Sequence, residues 1–275
     1  MKNNQKLLDL NSAMGSTDVK STSPLNSNSK LDPWWVTGFV DAEGCFRISI
    51  LKNKELKTQW GVRAFFQISL HLKDKAILEL IQSKLGVGKI YTAGPAAVSF
   101  EVHSIKELGV IIAHFDKYPL ISQKRPDFEL LKIAVGYMQG EHLTMEGLKK
   151  IISIKASMNR GLPDGLKEAF PDIIPAARPL VQSQSNPDPH WVAGFTSGEG
   201  CLIVRIKKSS THRTGLGVEL VFQITQHTRD EQLLLCFINY FGCGRYRQRR
   251  GGLAGDFNVR KLSDLTEKII PFFEI

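Results

Sequence analysis

The sequence predicts an α+β fold made twice, as two pseudo-symmetric units that each set a helix beside an antiparallel sheet. Three observations predict it. The stretch VTGFVDAEGCF at residues 36–46 returns as VAGFTSGEGCL at 192–202. Each copy is followed by segments whose apolar and polar residues alternate with the period of a strand. Finally, 42% of the 275 residues are hydrophobic, ample for packed cores.

Taken in order, residues 1–31 are rich in Ser and Asn and contain no Arg, so they read as a disordered leader and poorly as an organelle transit peptide. Asp32-Pro33 and Asp188-Pro189 each place a capping acid before a proline at the first helical position. Gly44 and Gly200 are expected to stop those helices about three turns later. Gly38 and Ala42 in the first copy, and Gly194 and Gly198 in the second, lie four apart and share a helix face. Such a face lets another backbone approach closely, and the other copy's helix is the simplest partner.

Strands follow. In CFRISILK the apolar Phe46, Ile48 and Ile50 alternate with Arg47 and Ser49, and in CLIVRIKK Leu202, Val204 and Ile206 alternate with Arg205 and Lys207. The next runs set Ala64, Phe66 and Ile68 against Arg63, Gln67 and Ser69, and Leu220, Phe222 and Ile224 against Glu219, Gln223 and Thr225. A helix such as KDKAILELIQSKLG leads to further strands, which carry Lys89 in the first copy. In the second they carry Arg245, Arg247, Arg249, Asn258 and Arg260. Each copy thus reads as helix, hairpin, helix, hairpin, helix, with a sheet that is apolar beneath and polar above.

The copies are related by one offset: 199 − 43 = 156 carries Glu43 to Glu199, and the same step carries Gln67 to Gln223, Asp74 to Asp230 and Gly88 to Gly244. A period this long means a duplicated domain, with units expected at 32–160 and 189–275. The Pro-rich, polar stretch 161–188 reads as a linker between them. Residues 119–160 have no counterpart in the second copy, so that unit is expected to be incomplete, with apolar surface under its sheet left bare. A truncated chain, a partly decayed gene or completion by another polypeptide would each account for that.

Lys and Arg exceed Asp and Glu by 36 − 27 = 9. This balance suits a polyanionic partner and equally a solvated basic surface. No apolar run approaches the roughly 18 residues of a membrane span, so no membrane association is expected. Cys45, Cys201, Cys236 and Cys243 form no C-x-x-C and are expected to be reduced and mostly buried.

The polar sheet faces carry the side chains that read base edges: Arg47, Ser49, Arg63, Gln67, Ser69 and Lys89 in one copy. Arg205, Lys207, Glu219, Gln223 and Thr225, with Arg245, Arg247, Arg249, Asn258 and Arg260, do so in the other. Two unequal faces suit a long, asymmetric duplex of about 20 base pairs. If the two Gly-bearing helices pack together, Glu43 and Glu199 leave their C-terminal ends side by side. Two carboxylates beside two negative helix ends repel unless cations are bound there. Hard divalent ions suit these carboxylates and the adjacent carbonyls of Ala42 and Gly198, and two such ions can hydrolyse a phosphodiester.

VTGFVDAEG (36–44) and VAGFTSGEG (192–200) resemble the two signature motifs of a single-chain LAGLIDADG homing endonuclease of the fungal mitochondrial intron-encoded type. The resemblance extends through FQISLHLKDKAIL, FDKYPLISQK and EHLTMEGLKKIISIKASMNRG. It implies a monomer with a DNA-binding saddle that cuts both strands of a site-specific duplex, encoded in the mitochondrion. It also implies Mg²⁺ at Glu43 and Glu199, with Ca²⁺ supporting binding without cleavage. Lys124 matches the family's basic residue near the scissile phosphates. Gln67, Gln223 and, in the second copy only, Gln226 match polar residues near the active centre, while Leu70 stands at the first-copy position of Gln226. The alternative is an intron-RNA maturase or a non-cleaving DNA-binding relic of the same fold. A duplicated domain for protein contacts would need faces that are apolar at their centres, which these are not.

Overall fold

A computed structural model describes residues 31–181 and 186–274. The leader expected at 1–31 lies outside the described residues except for Leu31, which packs against the core of the first half.

Both motif stretches are helices, α1 (Pro33–Glu43) and, later in the chain, a second spanning Pro189–Glu199. Each starts as expected: a carboxylate oxygen of Asp32 accepts from the Trp34 amide at 2.7 Å, and one of Asp188 accepts from the His190 amide at 2.8 Å. Each ends at its glycine, although not through the left-handed turn that usually makes glycine a helix stop. Gly44 and Gly200 are extended, at φ −72° and −81°. What requires glycine is space, because a Cβ on Gly44 would sit 2.5 Å from Val40 Cγ1 and one on Gly200 2.4 Å from the Thr196 carbonyl oxygen.

The first half continues through β1 (Gly44–Lys52), β2 (Trp60–His71), α2 (Lys75–Leu85), β3 (Lys89–Thr92), β4 (Ala97–Val102) and α3 (Ile105–Lys117). Its four strands form one antiparallel sheet in the order β1-β2-β4-β3. The underside of β1 and β2, with Phe46, Ile48, Ile50, Ala64, Phe66 and Ile68, is at most 5% exposed. Helices α4 (Arg125–Tyr137) and α5 (Met145–Ala156) help to close it, and Phe46, Phe66, Phe115 and Phe128 meet in one aromatic cluster with ring centroids 5.2–6.0 Å apart.

Residues 161–181 were expected to be plain linker, yet they begin with a short helix, α6 (Asp164–Ala169), and then dock on α5. The Ala176 amide donates to the Ser153 carbonyl at 3.0 Å, and Arg178 grips Asp127 of α4 at 2.8 and 3.2 Å. Composition reports the polarity of this segment, not the partners that anchor it.

The second half repeats the plan with α7 (Pro189–Glu199), β5 (Gly200–Lys208), β6 (Leu216–His227), α8 (Glu231–Phe241), β7 (Arg245–Gln248) and β8 (Ala254–Val259), the strands ordered β5-β6-β8-β7. A last helical stretch runs through Leu262–Asp264, a π-helical Leu265–Ile269 and Ile270–Phe273. Phe222, Ile224, Phe257 and Val259 are buried against α8 and Leu265. The expected bare surface is present: Leu202, Val204 and Ile206, the counterparts of Phe46, Ile48 and Ile50, are 79%, 65% and 68% exposed.

The halves meet through α1 and α7, and the small residues are the contact. A Cβ on Gly38 would lie 2.0 Å from the Trp191 carbonyl oxygen, and one on Gly194 would lie 2.1 Å from that of Trp35. Backbone therefore touches backbone, an approach that no larger residue permits. Trp35 stacks on Phe39 and Trp191 on Phe195, each pair against the core of its own half, while Trp34 of α1 packs against the core of the second half.

Candidate active centre and nucleic-acid interface

The packing of α1 on α7 brings Glu43 and Glu199 together. A methyl group on Gly198 would stand 3.4 Å from a carboxylate oxygen of Glu43, so the last turns of the two helices are in contact. Both acids are partly buried. Burial raises the pKa of each, the nearby Lys124 opposes that rise in both, and Glu43 adds to it for Glu199. The Gln226 side-chain amide donates to Glu199 Oε1 at 2.7 Å. At the equivalent position beside Glu43 stands Leu70, which can make no such bond.

Lys124 reaches this pair from the loop that precedes α4. Its ammonium donates to the carbonyls of Ala42 and, at 3.4 Å, Val40 at the end of α1. Burial lowers its pKa, while Asp41, Glu199 and Glu43 act in the opposite direction. One cation thus already serves the two acids, and it holds the Ala42 carbonyl that was expected to ligate a metal ion. Among the described residues no cluster of three or more His, Cys, Asp or Glu side chains that could hold a metal ion forms.

Sequence reasoning missed what places Lys124. The buried Asp41 accepts from the amides of Ile121 and Ser122 at 3.0 and 3.2 Å, from the Ser122 hydroxyl, and from the Trp191 indole at 2.8 Å. Asp230, from the second half, accepts from the Gln123 amide at 2.7 Å. The lysine loop is therefore clamped by both halves. Burial pushes Asp41 up to about 6 even with these donors around it. The one sequence signal was the recurrence of Asp74 at Asp230.

The expected readers lie on the polar faces of the two sheets. In the first, Arg47 lies over the Phe65 ring at 4.8 Å and donates to Gln67. The Gln67 amide then donates to Ser69 and Ser99 at 2.9 Å, and Ser99 donates to Glu101 at 3.0 Å. Arg63 and Lys89 are exposed, and Ser49 is half-buried. In the second, Glu219 is no free reader: Lys207 binds it at 2.6 Å, with Arg260 at 3.6 Å and Arg205 at 4.0 Å. Arg249 makes two 2.9 Å bonds to Asp256 and one of 2.8 Å to Thr225. Gln223 donates to Thr225 at 3.0 Å, while Arg245 and Arg247 are exposed. Together Gln223, Asn258, Arg205 and the arginines of 247–260 line an open trough of about 220 Å³.

The cysteines are not mostly buried, contrary to expectation. Only Cys243 is; Cys45 and Cys236 are intermediate and Cys201 is exposed. Register explains two of them, since Cys45 pairs with Gln67 and Cys201 with Gln223, which puts both on the polar faces.

A family model described as LAGLIDADG endonuclease matches residues 36–135 and 192–275. The probable intron-encoded endonuclease 3 of Neurospora crassa is 38% identical over 258 residues, covering 92% of this chain and 48% of that protein. The probable intron-encoded endonuclease 2 of the same fungus is 40% identical over 262 residues, covering 89% of this chain and 56% of that protein. The chain thus spans about half the length of these curated relatives. Among solved structures, I-SmaMI bound to an uncleaved DNA target in the presence of calcium ions is 42% identical with a TM-score of 0.87, covering 89% of this chain and 84% of that one. The meganuclease I-CpaMI bound to uncleaved DNA is 41% identical with a TM-score of 0.85, covering 88% and 84%.

Proposed function

The chain belongs to the LAGLIDADG endonuclease family, and from that premise we propose that it is a site-specific homing endonuclease that hydrolyses both strands of a long, asymmetric DNA duplex. The observation that carries the reading is the juxtaposition of Glu43 and Glu199 at the abutting ends of α1 and α7, between two polar sheet faces. Intron encoding and a mitochondrial setting are supported by relatives described by their introns, such as the uncharacterized 50.9 kDa protein in ND4 intron 1 of Podospora anserina.

The site fits divalent metal ions. Two acids whose protonation is favoured by burial, and in Glu199 also by its neighbour, are relieved by a cation between them. Mg²⁺ is the ion proposed, held by Glu43 and Glu199 with the carbonyls of Ala42 and Gly198, and when bound it supplies Lewis acidity and an activated water. Gln226 orients Glu199 through its 2.7 Å bond. Lys124, fixed by the clamped loop, places a positive charge beside the scissile phosphates. Arg47, Arg63, Gln67 and Lys89 on one face, and Gln223, Arg245, Arg247 and Asn258 on the other, bind the duplex.

The test incubates purified protein with a randomised duplex library in Mg²⁺ and, in parallel, in Ca²⁺, and sequences the cut and bound fractions. Sequence-specific cutting in Mg²⁺ is expected, and Glu43→Gln or Glu199→Gln should each abolish double-strand cleavage with affinity nearly intact. Specific binding without cutting in either ion would favour a DNA-binding relic. Tight binding of intron RNA with both acids dispensable would favour a maturase.

A further inference from the structure

We propose that the edge strand of the second sheet reads guanine: Arg245 and Arg247 of β7 contact two guanines about two base pairs apart, in only one half of the target. The inference rests on the duplex-DNA reading above and says what one half-site contains.

The two sheets differ most at this strand. At the positions of Arg245 and Arg247 the first sheet has Lys89 and Tyr91. The cross-strand partners of the two arginines are Asn258 and Asp256, so both project from the polar face that carries Gln223 and Thr225. They also differ from the other bases of that face in being uncommitted. Glu219 gathers three cations and Asp256 holds Arg249, whereas Arg245 and Arg247 make no ion pair or side-chain hydrogen bond among the described residues. A free guanidinium fork on a fixed strand matches the O6 and N7 acceptors of guanine, the pairing that most often specifies a base in the major groove. Residues two apart on a strand are separated by about 6.6 Å, close to two base-pair rises of about 3.4 Å.

A second observation points the same way. Asn258 lines the trough beside Arg247, is 4% exposed, and leaves its side-chain oxygen without a hydrogen-bond partner. Buried acceptors are nearly always satisfied, so this one is set for a donor that arrives with the ligand. The exocyclic amino group of cytosine or adenine is such a donor. Its first-sheet counterpart, Glu101, is already engaged by Ser99 and His103.

The test selects the full chain against a randomised duplex library in Ca²⁺ and sequences the bound fraction for the wild type, Arg247→Ala and Arg247→Lys. The expected wild-type consensus has two guanines about two positions apart on one side of the centre only. Both variants should lose the guanine preference at one of those positions and keep the rest, with affinity for the selected site falling roughly 5- to 150-fold. The lysine variant keeps the charge and loses the fork, so uniform weakening by Arg247→Ala with an unchanged consensus in both variants would assign a phosphate contact and overturn the proposal. A defined consensus that lacks those guanines overturns it while leaving the DNA reading intact. No enrichment of any sequence by the wild type overturns both.

Discussion

The indole of Trp191 donates to Asp41 Oδ2 at 2.8 Å, joining the motif helix of the second half to the buried acid of the first. The same carboxylate holds the amides of Ile121 and Ser122, so the contact between the halves and the seating of the lysine loop share one acceptor. Trp191→Phe keeps an aromatic ring against Phe195 but removes the donor, and should cost about 1–3 kcal/mol. Asp41→Asn should cost more, because its amide would face N–H donors. Urea unfolding of the two single variants and the double variant should give a coupling energy of about 1 kcal/mol; strict additivity would mean that the hydrogen bond contributes nothing.

The helix seam tolerates no side chain where the backbones touch. Gly194→Ala would drive a methyl group to 2.1 Å from the Trp35 carbonyl oxygen and should destabilise by about 1–3 kcal/mol or more. Gly109→Ala, in an exposed position of α3 with nothing within 4 Å, should stabilise by about 1 kcal/mol through helix propensity alone. Thermal melts of the pair separate a packing requirement from a general intolerance of alanine, and a harmless Gly194→Ala would contradict the contact.

Why the seam could be anticipated and the clamp could not is a matter of where information lies along the chain. Gly38 and Gly194 announce themselves because small residues four apart recur at one offset, and helix geometry then puts them on one face. Asp41 does not recur, since Ser197 stands in its place, and its partners lie 80 to 150 residues away. Likewise, alternation located the polar faces, yet it could not show that Glu219 is held by three cations while Arg247 forms no ion pair among the described residues. That difference depends on cross-strand register and side-chain reach. The exposure of Leu202, Val204 and Ile206 was legible, because the repeat shows which helices cover their counterparts in the first half.

His114 should make stability depend on pH below neutrality. Its ring is packed against Phe115 and Tyr118 and lies 3.2 Å from the Thr37 hydroxyl. Burial, with Lys84 adding to it, lowers its pKa from 6.5 to about 4. The folded state therefore binds the proton less readily than the unfolded chain. The stability this group contributes is complete above pH 6.5 and is lost as the pH falls toward 4. His114→Gln should flatten that part of a melting-temperature profile taken between pH 4 and 7.5, and an unchanged slope would assign the dependence to other groups.

Lys124 is the cation beside the two motif acids, and removing it should expose what it does. In Lys124→Met the side chain keeps an unbranched apolar stem one atom shorter, while Glu43, Glu199 and Asp41 lose the ammonium beside them. Mutual repulsion then goes uncompensated near neutral pH, so the variant should melt below the wild type in chelator. A divalent ion replaces the missing charge, and millimolar Ca²⁺ should raise the melting temperature of the variant more than that of the wild type. Cleavage in Mg²⁺ should slow by about 100-fold or more, because a positive charge beside the scissile phosphate acts on the charge that develops as the bond breaks. DNA affinity in Ca²⁺ should change little, since the readers lie on the sheet faces. Equal Ca²⁺ shifts in both proteins would show that lysine and metal do not answer the same pair of carboxylates.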